Sequence, residues 1–296
     1  MKDSLKGYIL GIISAVTYGM NPLFGIHLYD TGMNPASVLF YRFAFASAML
    51  AAYMLFTGKT FVLQRKQIPF AAAAGILLAL SCLTWFMSFK IMDSGIGATL
   101  LFVYPVMVAA IMAAGYHERL TAGTGAGIAL ALAGVAMLCR PGGGAEINLA
   151  GVAYVLVSAL TYAVYIVGVK ESRLKLLEPE TLTFYAMLSG SFLIFAILGF
   201  GRNIQMLPGP AAVGNALGLA FFPSLLSFLL MAVAIRYIGA TKTAVLGALE
   251  PVTAVAIGVL VFSEKFTLNL FAGIVLILFS VFALIFSKSG KPCAMQ

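Results

Sequence analysis

Apolar residues fall in ten solid stretches along the chain, roughly 7–27, 36–56, 68–89, 95–115, 122–139, 149–169, 181–200, 212–235, 241–262 and 268–287. Each comes close to the ~20 residues a helix needs to cross about 30 Å of hydrocarbon. The breaks between them are polar or carry Gly and Pro: "DTGMNP", "GKTFVLQRKQ", "RPGGGAEIN", "KESRLKLLEPE" and "GRNIQMLPGP". None is long enough to hold a further domain. Membrane-spanning strands would alternate apolar and polar residues, so the pattern predicts an all-α membrane protein with ten transmembrane helices.

The pattern is written twice. "SAVTYGMN" at Ser14–Asn21 returns as "SALTYAVY" at Ser158–Tyr165, 144 residues later. At the same offset Gly7 matches Gly151, Pro35 matches Pro179, and Phe40–Tyr41 matches Phe184–Tyr185. After a two-residue adjustment Ala98 matches Ala244, Pro105–Val106 matches Pro251–Val252, Glu118–Thr121 matches Glu264–Thr267, and Gly127 matches Gly273. Two five-helix units are expected, 1–143 and 144–296. Five is odd, so the second unit must enter the membrane from the opposite face, giving an inverted-topology repeat. The copy at Ser158 also argues against reading the first stretch as a cleaved signal peptide.

Composition and charge agree with lipid as the solvent. Hydrophobic residues make up 62% and charged residues 9% of the chain, against about 25% charged in a soluble domain. The net charge of +8 is scattered over short loops and forms no stripe for nucleic acid. With the N-terminus inside, the inner segments hold Lys2, Lys6, Lys59, Arg65, Lys66, Arg119, Lys170, Arg173, Lys175, Arg236, Lys242, Lys288 and Lys291; the outer loops hold only Lys90, Arg140, Arg202 and Lys265. The imbalance predicts both termini in the cytoplasm of a multi-pass inner-membrane protein. Cys82, Cys139 and Cys293 have no ligand-like spacing, and His27 and His117 stand alone, so no metal or cofactor is expected.

Polar and charged residues within the stretches carry the chemistry. Ser14, Tyr18 and Asn21 share one helical face, as do Ser158, Tyr162 and Tyr165. Lipid offers such groups no partner, so both stripes should face inward, either bonding between helices or lining a pathway; we favour the lining. Pro22, Pro105, Pro223 and Pro251 each remove an amide and free the carbonyl four residues earlier; each alone reads as an ordinary kink, and together they mark candidate helix breaks and gating points. Arg42 is about six residues into its helix, close enough to the interface to snorkel, so structural and functional readings both stand. Glu250 is nine residues in, roughly 14 Å deep by helical rise, and must face a polar interior or carry a proton. Its repeat counterpart is Tyr104. Trp85 suits an interfacial belt or a cap over a cavity. Gly123 and Gly127, and Gly11, Ala15 and Gly19, read as packing faces.

The segments "YPVMVAAIMAAGYHERLT" (104–121) and "LEPVTAVAIGVLVFSEKFT" (249–267), with "FYRF" at 40–43 and "TYG" at 17–19, resemble the paired signatures of EamA-type transporters in the drug/metabolite transporter superfamily. The resemblance covers essentially the whole chain. It implies a ten-helix basket, a central cavity lined mainly by helices 1, 3, 4, 6, 8 and 9, and export of small metabolites. It also implies that Tyr104 and Glu250, just before the signature prolines, shape specificity, and that Glu118 and Glu264 are structural. Tyr18, Asn21, Trp85, Tyr104, Tyr162, Tyr165, Ser227, Met231 and Glu250 form the expected substrate lining.

The acid, aromatic and Met content points to amino acids or other amine-bearing solutes. A drug or cation exporter of the same fold, and a channel or non-transporting scaffold, are the alternatives. No nucleophile–base constellation suggests an enzyme. The expected partners are a small-molecule substrate and the bilayer, with the protein a monomer and no nucleic acid bound.

Overall fold

The computed structural model describes residues 2–88, 91, 100–118, 121–138, 148–261 and 268–286. Ala98, Cys139, Cys293, Glu264 and the basic residues Lys90, Arg119, Arg140, Lys265, Lys288 and Lys291 lie outside the described residues. The helices are α1 (Lys2–Gly19), α2 (Asn21–Asp30), α3 (Pro35–Thr57), α4 (Ile68–Ser88), α5 (Tyr104–Tyr116), α6 (Ala122–Leu138), α7 (Leu149–Glu171), α8 (Pro179–Ile197), α9 (Pro210–Ala220), α10 (Ser227–Ile238), α11 (Ala240–Leu246), α12 (Leu249–Val261) and α13 (Leu268–Phe286). No strand occurs among them. Seven helical segments among the described residues are long and apolar enough to cross a membrane, and three further apolar helices, Tyr104–Tyr116, Ala122–Met137 and Phe271–Ala283, are shorter.

Local chemistry sets the boundaries. Asn34 caps α3 by accepting from the Ser37 amide, with Pro35 at the first turn, where a missing N–H costs nothing. Asn148 caps α7 through the amides of Ala150 and Gly151. Prolines account for the interruptions inside the long segments. Pro22 separates α1 from α2, and the Tyr18 carbonyl it frees accepts from Asn21 Nδ2 at 2.7 Å. Pro223 lies in a π-helical turn, Phe221–Leu226, between α9 and α10, and the freed Leu219 carbonyl accepts from Ser224 Oγ at 3.0 Å. α11 and α12 part at Gly247–Ala248, where the Glu250 amide closes a tight turn onto the Gly247 carbonyl at 2.9 Å.

The helices pack in a pattern that survives exchange of the two halves. α1 packs on α10, and its counterpart α7 packs on α4; α4 packs on α8, as α9 packs on α3; α5 packs on α7, as α12 packs on α1. The pairs α3–α8 and α6–α13 join each element to its own counterpart, and α5 packs on α11, the helix that precedes its counterpart α12. All of these contacts run between the halves, so the core is shared between them.

Two serine clasps fix this arrangement. Ser14 Oγ donates to the Ser227 carbonyl at 2.8 Å and Ser227 Oγ returns the bond to the Ser14 carbonyl at 3.0 Å. Ser158 Oγ donates to the Ser81 carbonyl at 2.8 Å and Ser81 Oγ returns it to the Ser158 carbonyl at 3.0 Å. Ser14 and Ser158 are repeat counterparts at an offset of 144, as are Ser81 and Ser227 at 146.

At the two ends of α3 lies a second matched set. Tyr41 bonds the Gln205 carbonyl at 3.1 Å and Ser37 Oγ accepts from the Gln205 amide at 3.0 Å. At the other end Tyr185 bonds the Phe61 carbonyl and Thr181 the Thr60 carbonyl, both at 2.8 Å. Only this end carries an ion pair among the described residues, Lys59–Glu180 at 3.0 Å. The α6–α13 seam uses the glycine face: Ser280 Oγ donates to the Gly127 carbonyl at 2.7 Å.

Candidate functional site

The broken segments meet at the centre of the bundle. There a small cavity is lined by Gly11, Ser14, Tyr104, Tyr162, Met231 and Glu250, closed on its remaining sides by Ala15, Ile166, Thr243, Ala244 and Gly247. Its volume is about 10 Å³, room for about one water and for no metabolite. The centre is therefore too narrow to hold a substrate. Tyr104 and Tyr162 are buried with ring centroids 4.9 Å apart, edge to face. The Tyr104 hydroxyl donates to the Ala244 carbonyl at 3.1 Å, and the Tyr162 hydroxyl reaches Met231 Sδ at 3.4 Å. Aromatic and thioether groups of this kind hold apolar substrate surface and cations alike.

Glu250 reaches the cavity because its backbone is pressed against α1. Gly19 makes this approach possible: a Cβ there would lie 2.5 Å from the Glu250 carbonyl oxygen and 2.6 Å from Thr253 Cβ. Glu250 is half-buried as a residue and has no Lys, Arg or His within ion-pair distance among the described residues.

A column of rings continues away from the cavity. Tyr162 stacks on Tyr165 at 6.3 Å, Tyr165 meets Phe228 at 6.3 Å, and Phe228 meets Tyr18 at 5.6 Å. The column ends at Arg42, whose Cζ stands 5.4 Å from the Tyr18 ring centre. Arg42 is only 1% exposed. It does not snorkel. Its Nε donates to Ser224 Oγ at 2.6 Å and an Nη to the Pro223 carbonyl at 3.2 Å, so it stitches the π-turn whose ladder Pro223 interrupts.

Of the residues expected in the lining, Tyr104, Tyr162, Met231 and Glu250 line the cavity. Tyr18 and Tyr165 belong to the adjoining ring column. Ser227 is engaged in its clasp with Ser14. Asn21 satisfies the Tyr18 carbonyl, and its own Oδ1 is buried without a partner. Trp85 is half-buried beside Phe86, at 5.6 Å, away from the cavity. Pro105 and Pro251 directly follow the two cavity residues Tyr104 and Glu250, while Pro22 and Pro223 flank the Arg42 end. The stripes face inward, whereas Val16 and Val164 on the opposite faces are each 39% exposed.

Sequence reasoning missed the role of Ser224. The signal was the Pro-Ser pair inside a helix, where a hydroxyl can bond a freed carbonyl. It also missed Thr243, which carries no chemical signature, whereas Gly247 bears the carbonyl that Pro251 is expected to free.

Two helical halves, interleaved by exchange-symmetric packing around a polar and aromatic centre at broken helices, define a membrane transporter built from internal repeats. The family model for the EamA-like transporter family matches residues 5–140 and 149–286. The chain belongs to that family. A protein of Archaeoglobus fulgidus described as an uncharacterized transporter is 27% identical over 256 residues, covering 86% of this chain and 89% of its own. A second such transporter from the same organism is 30% identical over 193 residues, covering 64% of this chain and 66% of its own. A solved crystal structure superposes with a TM-score of 0.82 at 17% identity, over 94% of this chain and 95% of its own, a likeness of fold.

Proposed function

We propose that the protein is a secondary transporter that exports small amine-bearing metabolites, aromatic amino acids among them, across the cytoplasmic membrane by alternating access. In this reading ten helices cross as two inverted five-helix repeats, 1–143 and 144–296, with both termini in the cytoplasm and the monomer as the working unit. Substrate enters when the broken segments α1/α2, α9/α10 and α11/α12 swing apart. Tyr18, Asn21, Tyr165, Ser227 and Trp85 then join the lining.

One observation carries the reading: Glu250 lines a narrow, aromatic cavity at the repeat interface, with no Lys, Arg or His within 4 Å of its carboxyl among the described residues. An intramembrane acid in that position receives either a substrate ammonium or a proton. Tyr104, Tyr162 and Met231 around it supply the soft and aromatic surface that an organic cation prefers.

The test is exchange in proteoliposomes. Wild-type protein should show saturable counterflow of phenylalanine, and Glu250→Gln should insert normally yet lose transport or its pH dependence. A Gln variant with native rate, affinity and pH profile would leave Glu250 as packing.

A further inference from the structure

A second charge sits in the same interior, and among the described residues it makes no ion pair. Arg42 is buried to 1%, and arginine cannot shed its proton in a protein. Among the described residues the ion pair Lys59–Glu180 stands alone, so no carboxylate lies within 4 Å of the guanidinium. The bonds to Ser224 Oγ and the Pro223 carbonyl occupy two of its five N–H donors with neutral acceptors. A buried guanidinium held only by neutral groups is an uncompensated charge, costly in a protein and more so in a bilayer. If Arg42 served only to stitch the π-turn, a neutral donor would do so without that cost.

The surroundings say what would complete it. Tyr18, with its ring against the Arg42 guanidinium, is followed in α1 by Gly19, on which the Glu250 backbone packs. Adjacent residues of α1 therefore touch the Arg42 guanidinium and the backbone of the cavity acid Glu250. The Tyr165 hydroxyl on the same ring column is buried and lacks a hydrogen-bond partner. A ligand that satisfies both charges must carry an ammonium and a carboxylate a few bonds apart, with room for an apolar side chain among the rings. Arg binds carboxylates through paired, planar N–H groups, a geometry that lysine does not reproduce.

We propose that Arg42 is the receptor for a substrate carboxylate, so that the carrier takes zwitterions, α-amino acids, with the carboxylate on Arg42 and the ammonium on Glu250. This rests on the transporter reading above and narrows it, because amines without a carboxylate leave the guanidinium unpaired and are rejected. Ser224 and the Pro223 carbonyl hold the guanidinium in place between turnovers.

The experiment compares phenylalanine with 2-phenylethylamine, which keeps the ring and the amine and lacks the carboxylate. In wild-type proteoliposomes, 2-phenylethylamine should compete with phenylalanine uptake at least about tenfold more weakly than unlabelled phenylalanine, because a site built for a polar group rejects the analogue lacking it. Equal competition overturns the proposal with no variant needed.

Arg42→Gln keeps hydrogen-bond donors for Ser224 and Pro223 and removes the charge. It should lose phenylalanine exchange at least about tenfold while 2-phenylethylamine exchange is kept or rises, closing the gap between the two. A parallel fall in both would make Arg42 a clamp on the π-turn and overturn the proposal, as would native phenylalanine exchange. Should wild-type protein exchange 2-phenylethylamine and exclude phenylalanine, the amine reading of Glu250 stands and the carboxylate assignment fails. If it moves neither, the reading of the substrate on which both rest falls.

Discussion

Removing the serine clasps tests whether the halves are held by symmetric contacts. Ser14→Ala deletes the bond from Ser14 Oγ to the Ser227 carbonyl at 2.8 Å and the longer hydroxyl–hydroxyl contact at 3.4 Å, and leaves the reciprocal 3.0 Å bond from Ser227 in place. The carbonyl left behind sits within α10 and is not orphaned by the change, so no buried-polar penalty is added. Interhelical hydrogen bonds within a bilayer average about 0.6 kcal/mol and reach about 1.7 kcal/mol. Ser14→Ala should therefore cost about 0.6 kcal/mol, and Ser14→Ala with Ser227→Ala about 1.2 kcal/mol.

Ser158→Ala deletes the equivalent 2.8 Å bond to Ser81 and should cost the same as Ser14→Ala. The two clasps share no partner, so their costs should add. Reversible unfolding in mixed micelles, followed for the single variants, each pair and all four together, measures this. A difference of more than about 1 kcal/mol between the counterparts Ser14 and Ser158 would refute the claim that the clasps are equivalent. So would a quadruple variant as stable as wild type.

Gly19→Ala should destabilise by about 1–3 kcal/mol and slow transport, because the new methyl meets the Glu250 backbone, which cannot turn aside as a side chain can. Gly125→Ala, where nothing lies within 4 Å of the added methyl, is the matched control and should leave the thermal midpoint unchanged or slightly raised. The Lys59–Glu180 pair raises the Lys59 pKa above its ordinary 10.5, chiefly through the hydrogen bond to Glu180. A raised basic pKa gives stabilisation that is complete below the unfolded value and fades as pH rises through the folded one. The melting difference between wild type and Glu180→Gln, small because the lysine is exposed, should therefore persist at pH 7, close above pH 10.5, and shrink with salt. A difference that grew with pH would show that the pair is not its source.

The placement of the helical segments was legible because lipid forces apolar residues into long runs, and the break in α1/α2 because Pro22 lacks an amide. The repeat was legible from "SAVTYGMN" and "SALTYAVY", but the work of its first residue was not. Ser14 does line the cavity, but both it and Ser158 also commit their hydroxyls to partners, Ser227 and Ser81, that lie 213 and 77 residues away. Distance along the chain hides which serine meets which. Arg42 shows the opposite failure: its depth permits snorkelling, and only the position of the π-turn reveals that burial wins. The π-turn itself has no marker beyond Pro223, since Pro251 produces a different break, a tight turn between two α-helices. Within the centre, Tyr104 and Glu250 were legible through their signature prolines; Ala244 and Gly247 line the same space only because α11 ends there.

Many of the contacts by which the two halves hold one another are matched, and several residues at or beside the centre are not. Ser14 and Ser158, Ser81 and Ser227, Tyr41 and Tyr185, and Gly127 and Gly273 are matched, and they make clasps, end contacts or the α6–α13 seam. Arg42 stands opposite Ala186, Glu250 opposite Tyr104, Asn21 opposite Tyr165, and Pro223 opposite Leu77. In the alternating-access reading this division has a physical cause. Two inverted halves with identical contacts would give inward- and outward-open states of equal energy, so a matched scaffold lets both be populated. A substrate without twofold symmetry cannot be recognised by a symmetric site, so selectivity requires unmatched residues in the middle. Each unmatched residue also biases the empty carrier toward one face, by whatever it interacts with differently in the two states. Arg42 and Glu250, both charged and both without counterparts, make the largest such difference. The groups that select the ligand thus also set the resting balance between the two faces.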